Sequence, residues 1–177
     1  MYTDYFNSPI GLIEFKASEQ GIAQVIFCGT QQATVITNEL TDRCKQQLKE
    51  YFTEKRKVFE LPLDAKGTDF QLKVWSCLAN IPFGETLSYL DIAKLVSRPK
   101  GAQAVGGANG RNPISVILPC HRVLGSNGSL TGYAGGIERK LWLLKHEGIT
   151  LTNDKNHEFL DVENVKYKRQ SKTQFLN

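Results

Sequence analysis

Apolar and polar residues alternate in three short stretches at the start of the chain. Tyr2–Phe6, Ile10–Ala17 and Gly21–Phe27 step at period two and are rich in Tyr, Ile, Val and Phe, the pattern of strands with one buried face. Ser8-Pro9 and Glu19-Gln20-Gly21 supply turns between them, so an antiparallel sheet is predicted. From Asn38 to Phe52 the period changes. Leu40, Cys44, Leu48 and Tyr51 or Phe52 recur at helical spacing, opposite a face of Asp, Arg, Lys, Gln and Glu, which predicts a surface helix covering the sheet. Cys28 and Cys44 then fall on a strand end and on the apolar helix face, where both are expected to serve the core.

Lys55-Arg56-Lys57 reads as a solvated basic cluster and receives no role. Leu61-Pro62-Leu63-Asp64-Ala65-Lys66-Gly67 breaks the pattern with a proline and a glycine, placing a boundary near Lys66. Beyond it, Thr68-Asp69-Phe70-Gln71 has the form of a capping box, and Phe70, Val74, Cys77, Leu78 and Ile81 continue at helical spacing up to Pro82. Cys77 is expected inside. Ser88 can cap a second helix through Val96, with Tyr89, Ile92, Ala93 and Val96 on one face. Residues 101–110 are mostly Gly and Ala, a poor helix by propensity because each interior glycine costs about 1 kcal/mol relative to alanine. Two readings of this run stand side by side: the second helix of a helix-turn-helix, small enough for close approach to DNA, or a segment packed against the protein's own core. A last helix, Ile137 to about His146, ends at Gly148, with Glu147 beside the cap. The fold class is therefore α+β, with an N-terminal sheet-and-helix domain over 1–66, a C-terminal domain over 67–151 and a polar, loosely held extension over 152–177.

Composition narrows the class. The 177 residues are 41% hydrophobic and 23% charged, which suits a globular protein with a sizeable core. No apolar run approaches a membrane span and the start lacks a signal-peptide pattern, so a soluble, cytoplasmic protein is expected. Cysteines at 28, 44, 77 and 120 are far apart, and the three histidines, 121, 146 and 157, all lie late in the chain, which argues against a disulfide framework or a zinc site. The net charge of +4 is unevenly spread. Residues 68–149 hold 9 Lys and Arg against 5 Asp and Glu, whereas residues 1–67 hold 8 against 9. A basic excess of this size is compatible with a polyanionic partner.

That basic part contains Asn112-Pro113-Ile114-Ser115-Val116-Ile117-Leu118-Pro119-Cys120-His121-Arg122-Val123, an apolar run delivering one cysteine with two potential cations directly after it. Cys120 can be a small core hydrophobe, or a nucleophile whose thiolate is favoured by a neighbouring imidazole or guanidinium. Glycine-rich loops follow, Gly125-Ser126-Asn127-Gly128-Ser129 and Thr131-Gly132-Tyr133-Ala134-Gly135-Gly136, whose backbone amides can line a pocket.

Pro119-Cys120-His121-Arg122-Val123, preceded by Gly106-Gly107-Ala108 and Asn112-Pro113 and followed by Gly132-Tyr133-Ala134-Gly135-Gly136, Lys140, Trp142-Leu143-Leu144 and His146-Glu147-Gly148, closely resembles the O6-alkylguanine-DNA alkyltransferases. The likeness is strong from Phe70 to Gly148. It implies a C-terminal helical domain with a winged helix-turn-helix that binds the DNA minor groove and flips out the damaged base. It also implies irreversible, stoichiometric transfer of the methyl or other alkyl group from O6-methylguanine, and less efficiently O4-methylthymine, to Cys120. By the same resemblance His121 and Glu147 form the relay that takes the thiol proton through a water, Asn112 braces the turn, and Tyr89 helps rotate the base and protonates the leaving purine. Tyr133, Ala134 and Gly135 would enclose the flipped base, and contacts to DNA or substrate are expected of Ala102, Gln103, Gly106, Arg111 and Val123. The implied partner is double-stranded DNA carrying O6-alkylguanine, bound by a monomer without metal or other cofactor.

The chemistry agrees with these roles. Displacement at a methyl carbon needs a soft anionic nucleophile and a donor that neutralises the leaving purine, and the thioether formed has no ready route back to thiol. One departure from the family pattern concerns the position fourteen residues after the tyrosine. It is usually an arginine that fills the space left by the flipped base, and here it is Gln103, uncharged and shorter. A lesion-binding protein without transfer is the alternative, but proteins of that kind lack the acceptor cysteine. A thiol redox sensor would want a resolving cysteine, for which Cys77 is the candidate in this part of the chain.

Overall fold

The computed structural model describes residues 1–150 and the backbone of Thr152–Asn153 and Leu160–Asp161. The chain divides into two compact units, one formed by Met1–Thr68 with Asn112–Leu118, the other by Asp69–Arg111 with the chain from Pro119 onward. The sequence-derived boundary at Lys66 lies two residues before this division. The segment 112–118, expected within the C-terminal domain, belongs instead to the first unit.

In the first unit β1 (Tyr2–Ser8), β2 (Gly11–Ala17) and β3 (Ile22–Cys28) form an antiparallel sheet in the order β1-β2-β3. Register runs from Tyr2↔Ala17 to Ser8↔Gly11, so the turn is tighter than the alternation alone suggested. Helix α1 (Glu39–Phe52) packs on β1 and β2. Asn38 starts it with a capping box, accepting from the Thr41 amide while the Thr41 side chain accepts from the Asn38 amide. Cys44, Leu48 and Tyr51 are fully buried on its inner face. Cys44 is core as expected, and burial pushes its thiol up to about 12, whereas Cys28 is half-buried.

Both edges of this sheet are covered, which removes a template for unwanted strand pairing. Thr3 and Ile36 exchange backbone hydrogen bonds on one side. On the other, Ile22 donates to Pro62 and accepts from Asp64, and Val25 donates to Pro113 and accepts from Ser115. Gly21 permits the first of these contacts, because a Cβ there would sit 2.7 Å from the Pro62 carbonyl oxygen. Residues 113–115 are thus edge cover for β3, which explains why 112–118 joins the first unit.

The second unit begins with α2 (Asp69–Ala79). The two-residue strand β4 (Leu87–Ser88) leads directly into α3 (Tyr89–Leu95), capped by Ser88 and Asp91 in a second capping box. Helix α4 (Ala102–Gly110) follows, so α3 and α4 form the helix-turn-helix pair. The small-residue run is a helix with one buried and one exposed face. Val105, Ala108 and Asn109 are buried, with the Trp75 indole N–H donating to the Ala108 carbonyl at 2.9 Å, while Gln103 and Ala104 are exposed. Tertiary packing on α2 and α3 overrides the weak propensity. Strand β5 (Val123–Leu124) pairs in parallel with β4, and α5 (Ile137–His146) ends the described core. Cys77, expected inside, is half-buried.

Helix α5 closes in a Schellman motif. The Ile149 amide donates to Leu144 and the Gly148 amide to Lys145, while Ile149 and Leu144 pack together with Leu124 and Leu130. Glu147 is consequently the helix C-cap, held in place by its neighbours on both sides. Strands β6 (Thr152–Asn153) and β7 (Leu160–Asp161) pair antiparallel, and the rest of the extension predicted over 152–177 lies outside the described residues. Among the described residues no helix is long and apolar enough to cross a membrane.

Gly148 has φ +81°, and a Cβ built there meets nothing within 4 Å. Gly148→Ala is therefore expected to lower the unfolding free energy by about 1 kcal/mol, purely through the backbone, as measured by urea denaturation.

Candidate active site

Cys120, His121 and Arg122 form a single 3-10 turn that runs straight into β5. They are 2%, 0% and 6% exposed. The β4–β5 register, Leu87↔Val123 and Ser88↔Leu124, sets this turn beside the start of α3, where Tyr89 stands.

Behind the turn lies a buried ionic group. The His121 Nε2 is 2.7 Å from Glu147 Oε1, and Arg122 donates twice to the same carboxylate, Nε to Oε2 at 2.8 Å and Nη2 to Oε1 at 2.9 Å. The Gly84 amide adds a longer bond of 3.3 Å to Oε2, and the other arm of Arg122 donates to the Ile81 carbonyl. Burial alone would raise the Glu147 pKa, yet His121 and Arg122 hold the carboxyl well below the usual carboxylate range. Burial likewise pushes the His121 imidazole down, against the pull of Glu147 and with the help of Arg122 and Lys140. A neutral imidazole facing an ionised carboxylate must donate from Nε2. Its Nδ1 is then a lone-pair acceptor, and among the described residues this buried atom has no hydrogen-bond partner.

His121 and Arg122, expected to act as cations on the thiol, both face Glu147. Arg122 is engaged by Glu147 and Ile81, and burial favours the uncharged form of His121. Lys140 also interacts electrostatically with Cys120. It is fully buried, and Nζ donates to the carbonyls of Val123 at 2.6 Å, Thr131 at 3.1 Å and Gly132 at 3.3 Å. Burial pushes its pKa down to about 8, and Cys120 opposes that shift. The Tyr89 hydroxyl donates to the same Thr131 carbonyl at 2.9 Å, with the Lys140 ammonium 5.8 Å from the centre of its ring. Sequence reasoning quoted Lys140 and Arg122 as motif members without seeing these roles. A lysine at a helix position that buries its neighbours, Leu143 and Leu144, was the available signal.

The remaining predicted residues are distributed as follows. Ala102, Gln103 and Gly106 lie along α4, with Gln103 exposed, and Arg111 is the exposed C-cap of that helix. Tyr133 and Gly135 are half-buried and Ala134 exposed in the loop before α5, while Val123 is fully buried in β5. Asn112 belongs to the first unit. Its Nδ2 donates to Leu118 O at 2.8 Å and Ile114 O at 3.4 Å, and its Oδ1 accepts from the Ile114 amide at 2.9 Å. These bonds brace a loop in which buried Val116 adopts φ +71°, a left-handed conformation that costs a β-branched residue of order 1–3 kcal/mol. Among the described residues no three His, Cys, Asp or Glu side chains gather as a metal site.

Residues 69–149 match the family described as 6-O-methylguanine DNA methyltransferase, DNA binding domain, and residues 1–65 match 6-O-methylguanine DNA methyltransferase, ribonuclease-like domain. A methylated-DNA–protein-cysteine methyltransferase of Methanosarcina acetivorans is 45% identical over 154 residues, spanning 84% of this chain and 99% of the relative. A constitutive methylated-DNA–protein-cysteine methyltransferase of Bacillus subtilis is 56% identical over 107 residues, 60% of this chain and 65% of the relative. Among solved structures, Mycobacterium tuberculosis OGT in complex with DNA superposes with a TM-score of 0.77 at 40% identity, covering 83% of this chain and 92% of that one. With both units matched and similarity running the whole length of a relative, the chain belongs to the 6-O-methylguanine DNA methyltransferase family.

Proposed function

We propose that this protein repairs DNA by moving the alkyl group of O6-alkylguanine, and less efficiently O4-methylthymine, onto Cys120, once per chain. The observation that carries this reading is the buried His121–Glu147–Arg122 group in the turn that bears Cys120. An ionised Glu147 fixes the His121 tautomer, leaving Nδ1 to accept the thiol proton through a water. The thiolate attacks the alkyl carbon, the carbon–oxygen bond breaks, and the electron pair moves onto the purine. Tyr89 supplies the proton that makes the purine a neutral leaving group. Lys140 adds positive charge near the thiolate and anchors the loop preceding α5.

The partner is DNA, in this reading a duplex containing the lesion, bound by a cytoplasmic monomer through α3 and α4 without a cofactor. The exposed Gln103, Arg111 and small residues of α4 offer the contact surface, and residues 131–135 the enclosure for an extruded base. Extrusion costs a few kcal/mol, least for a poorly paired base, which favours the lesion over normal guanine. Lesion binding without transfer is disfavoured by the presence of Cys120 with its proton acceptor.

Incubation with an oligonucleotide containing O6-methylguanine is expected to add one methyl mass to the intact protein and none to Cys120→Ala. Binding with no mass change in the parent protein would contradict transfer. Gln103→Arg is expected to raise the single-turnover transfer rate from duplex DNA several-fold, and an unchanged rate would show that base extrusion does not depend on this position.

A further inference from the structure

Helix α4 buries three residues, of which Val105 and Ala108 are apolar and Asn109 is not. Asn109 is 3% exposed. A leucine would fill similar space without the 1–3 kcal/mol that an incompletely paired buried amide costs. What the amide gains is specific. Its Nδ2 donates to the carbonyl of Cys120 at 3.3 Å, an oxygen that already accepts from the Val123 amide. Asn109 is thus a second tether on the reactive turn, reaching it from a different helix.

The same side of α4 faces Tyr89. One turn earlier, a Cβ built on Gly106 would lie 3.9 Å from Cδ1 and Cε1 of the Tyr89 ring. Burial and the nearby Cys120 raise the Tyr89 pKa, while side-chain hydrogen bonding from Thr131 and Asn109 opposes the rise. The helix that tethers the Cys120 turn through Asn109 therefore also lies against the Tyr89 ring at Gly106. The Asn109 Oδ1 is also buried, with no donor among the described residues.

We propose that Asn109 is a positioning residue that ties the Cys120 turn to α4, the helix that also packs against the Tyr89 ring, so that seating α4 on DNA aligns the nucleophile with the proton donor. This rests on the alkyl-transfer reading given above. During transfer the sulfur–carbon bond forms, the carbon–oxygen bond breaks, and the purine takes the Tyr89 proton. The phenolate left behind regains its proton from water, and the proton taken up by His121 is released to water.

The test is the single-turnover rate of methyl transfer at saturating O6-methylguanine duplex for Asn109→Leu, with duplex affinity and final methylation per folded chain measured alongside. The rate constant is expected to fall about tenfold, equivalent to about 1.4 kcal/mol in the barrier, with affinity within about twofold and every folded chain still methylated in the end. A merely structural role would reduce the folded fraction and leave the rate per folded chain unmoved. Asn109→Asp keeps the size and Oδ1 but removes the donating N–H groups, and is expected to be slow as well, which settles the matter if the leucine variant does not fold. A parent protein that transfers normally with variants equally fast overturns this inference alone, whereas a parent that transfers nothing overturns the underlying reading with it.

Discussion

The fold of the second unit depends on one buried carboxylate. Glu147 has no solvent-exposed side-chain surface and is met by His121, Nε and Nη2 of Arg122 and the Gly84 amide. Removing ions from water costs several kcal/mol each, so such a group persists only when its partners are complete. Two separate pieces of chain supply them to the C-cap of α5: the loop between α2 and β4, and the 3-10 turn. Loss of Arg122 would leave Glu147 as an uncompensated buried charge, and loss of His121 or of the Gly84 amide would leave a carboxylate oxygen short of a donor.

The same arrangement separates two tasks that a lone histidine would combine. Arg122 neutralises Glu147, and His121 is left uncharged and able to receive a proton. Positive charge near the thiol comes instead from Lys140, which burial holds close to the edge of titration while three carbonyls fix its position. Lys140 and Tyr89 share the Thr131 carbonyl, so in the proposed reaction that loop carbonyl would keep a donor after the phenol gave its proton away.

Local patterns with a short reach were legible in the sequence. The three strands, the helical period of α1, the capped start of α3, and the Gly148 stop of α5 each rest on residues within a turn or two of one another, and the structure places them within a few residues of the expected limits. Long-range placements were not. Pro113–Ser115 covers the edge of β3 ninety residues earlier in the chain, a pairing that no periodicity encodes. The small-residue run carried two readings because pattern cannot say which face of a helix has neighbours. Arg122 was read as acting on the adjacent cysteine, since adjacency is all a sequence offers, yet its planar fork matches a carboxylate 25 residues away. The family resemblance located Cys120, His121 and Glu147, while Asn109 stayed hidden because a buried amide in a glycine-rich helix has no sequence signature.

The central claim is that Glu147 and Arg122 keep His121 neutral with its proton on Nε2. Nitrogen-15 NMR of the imidazole ring in the folded protein reads this directly. The account predicts a neutral ring protonated at Nε2 at pH 7, staying neutral as the pH falls through the ordinary value of 6.5. An imidazolium at pH 7, or a neutral ring carrying its proton on Nδ1, would contradict it.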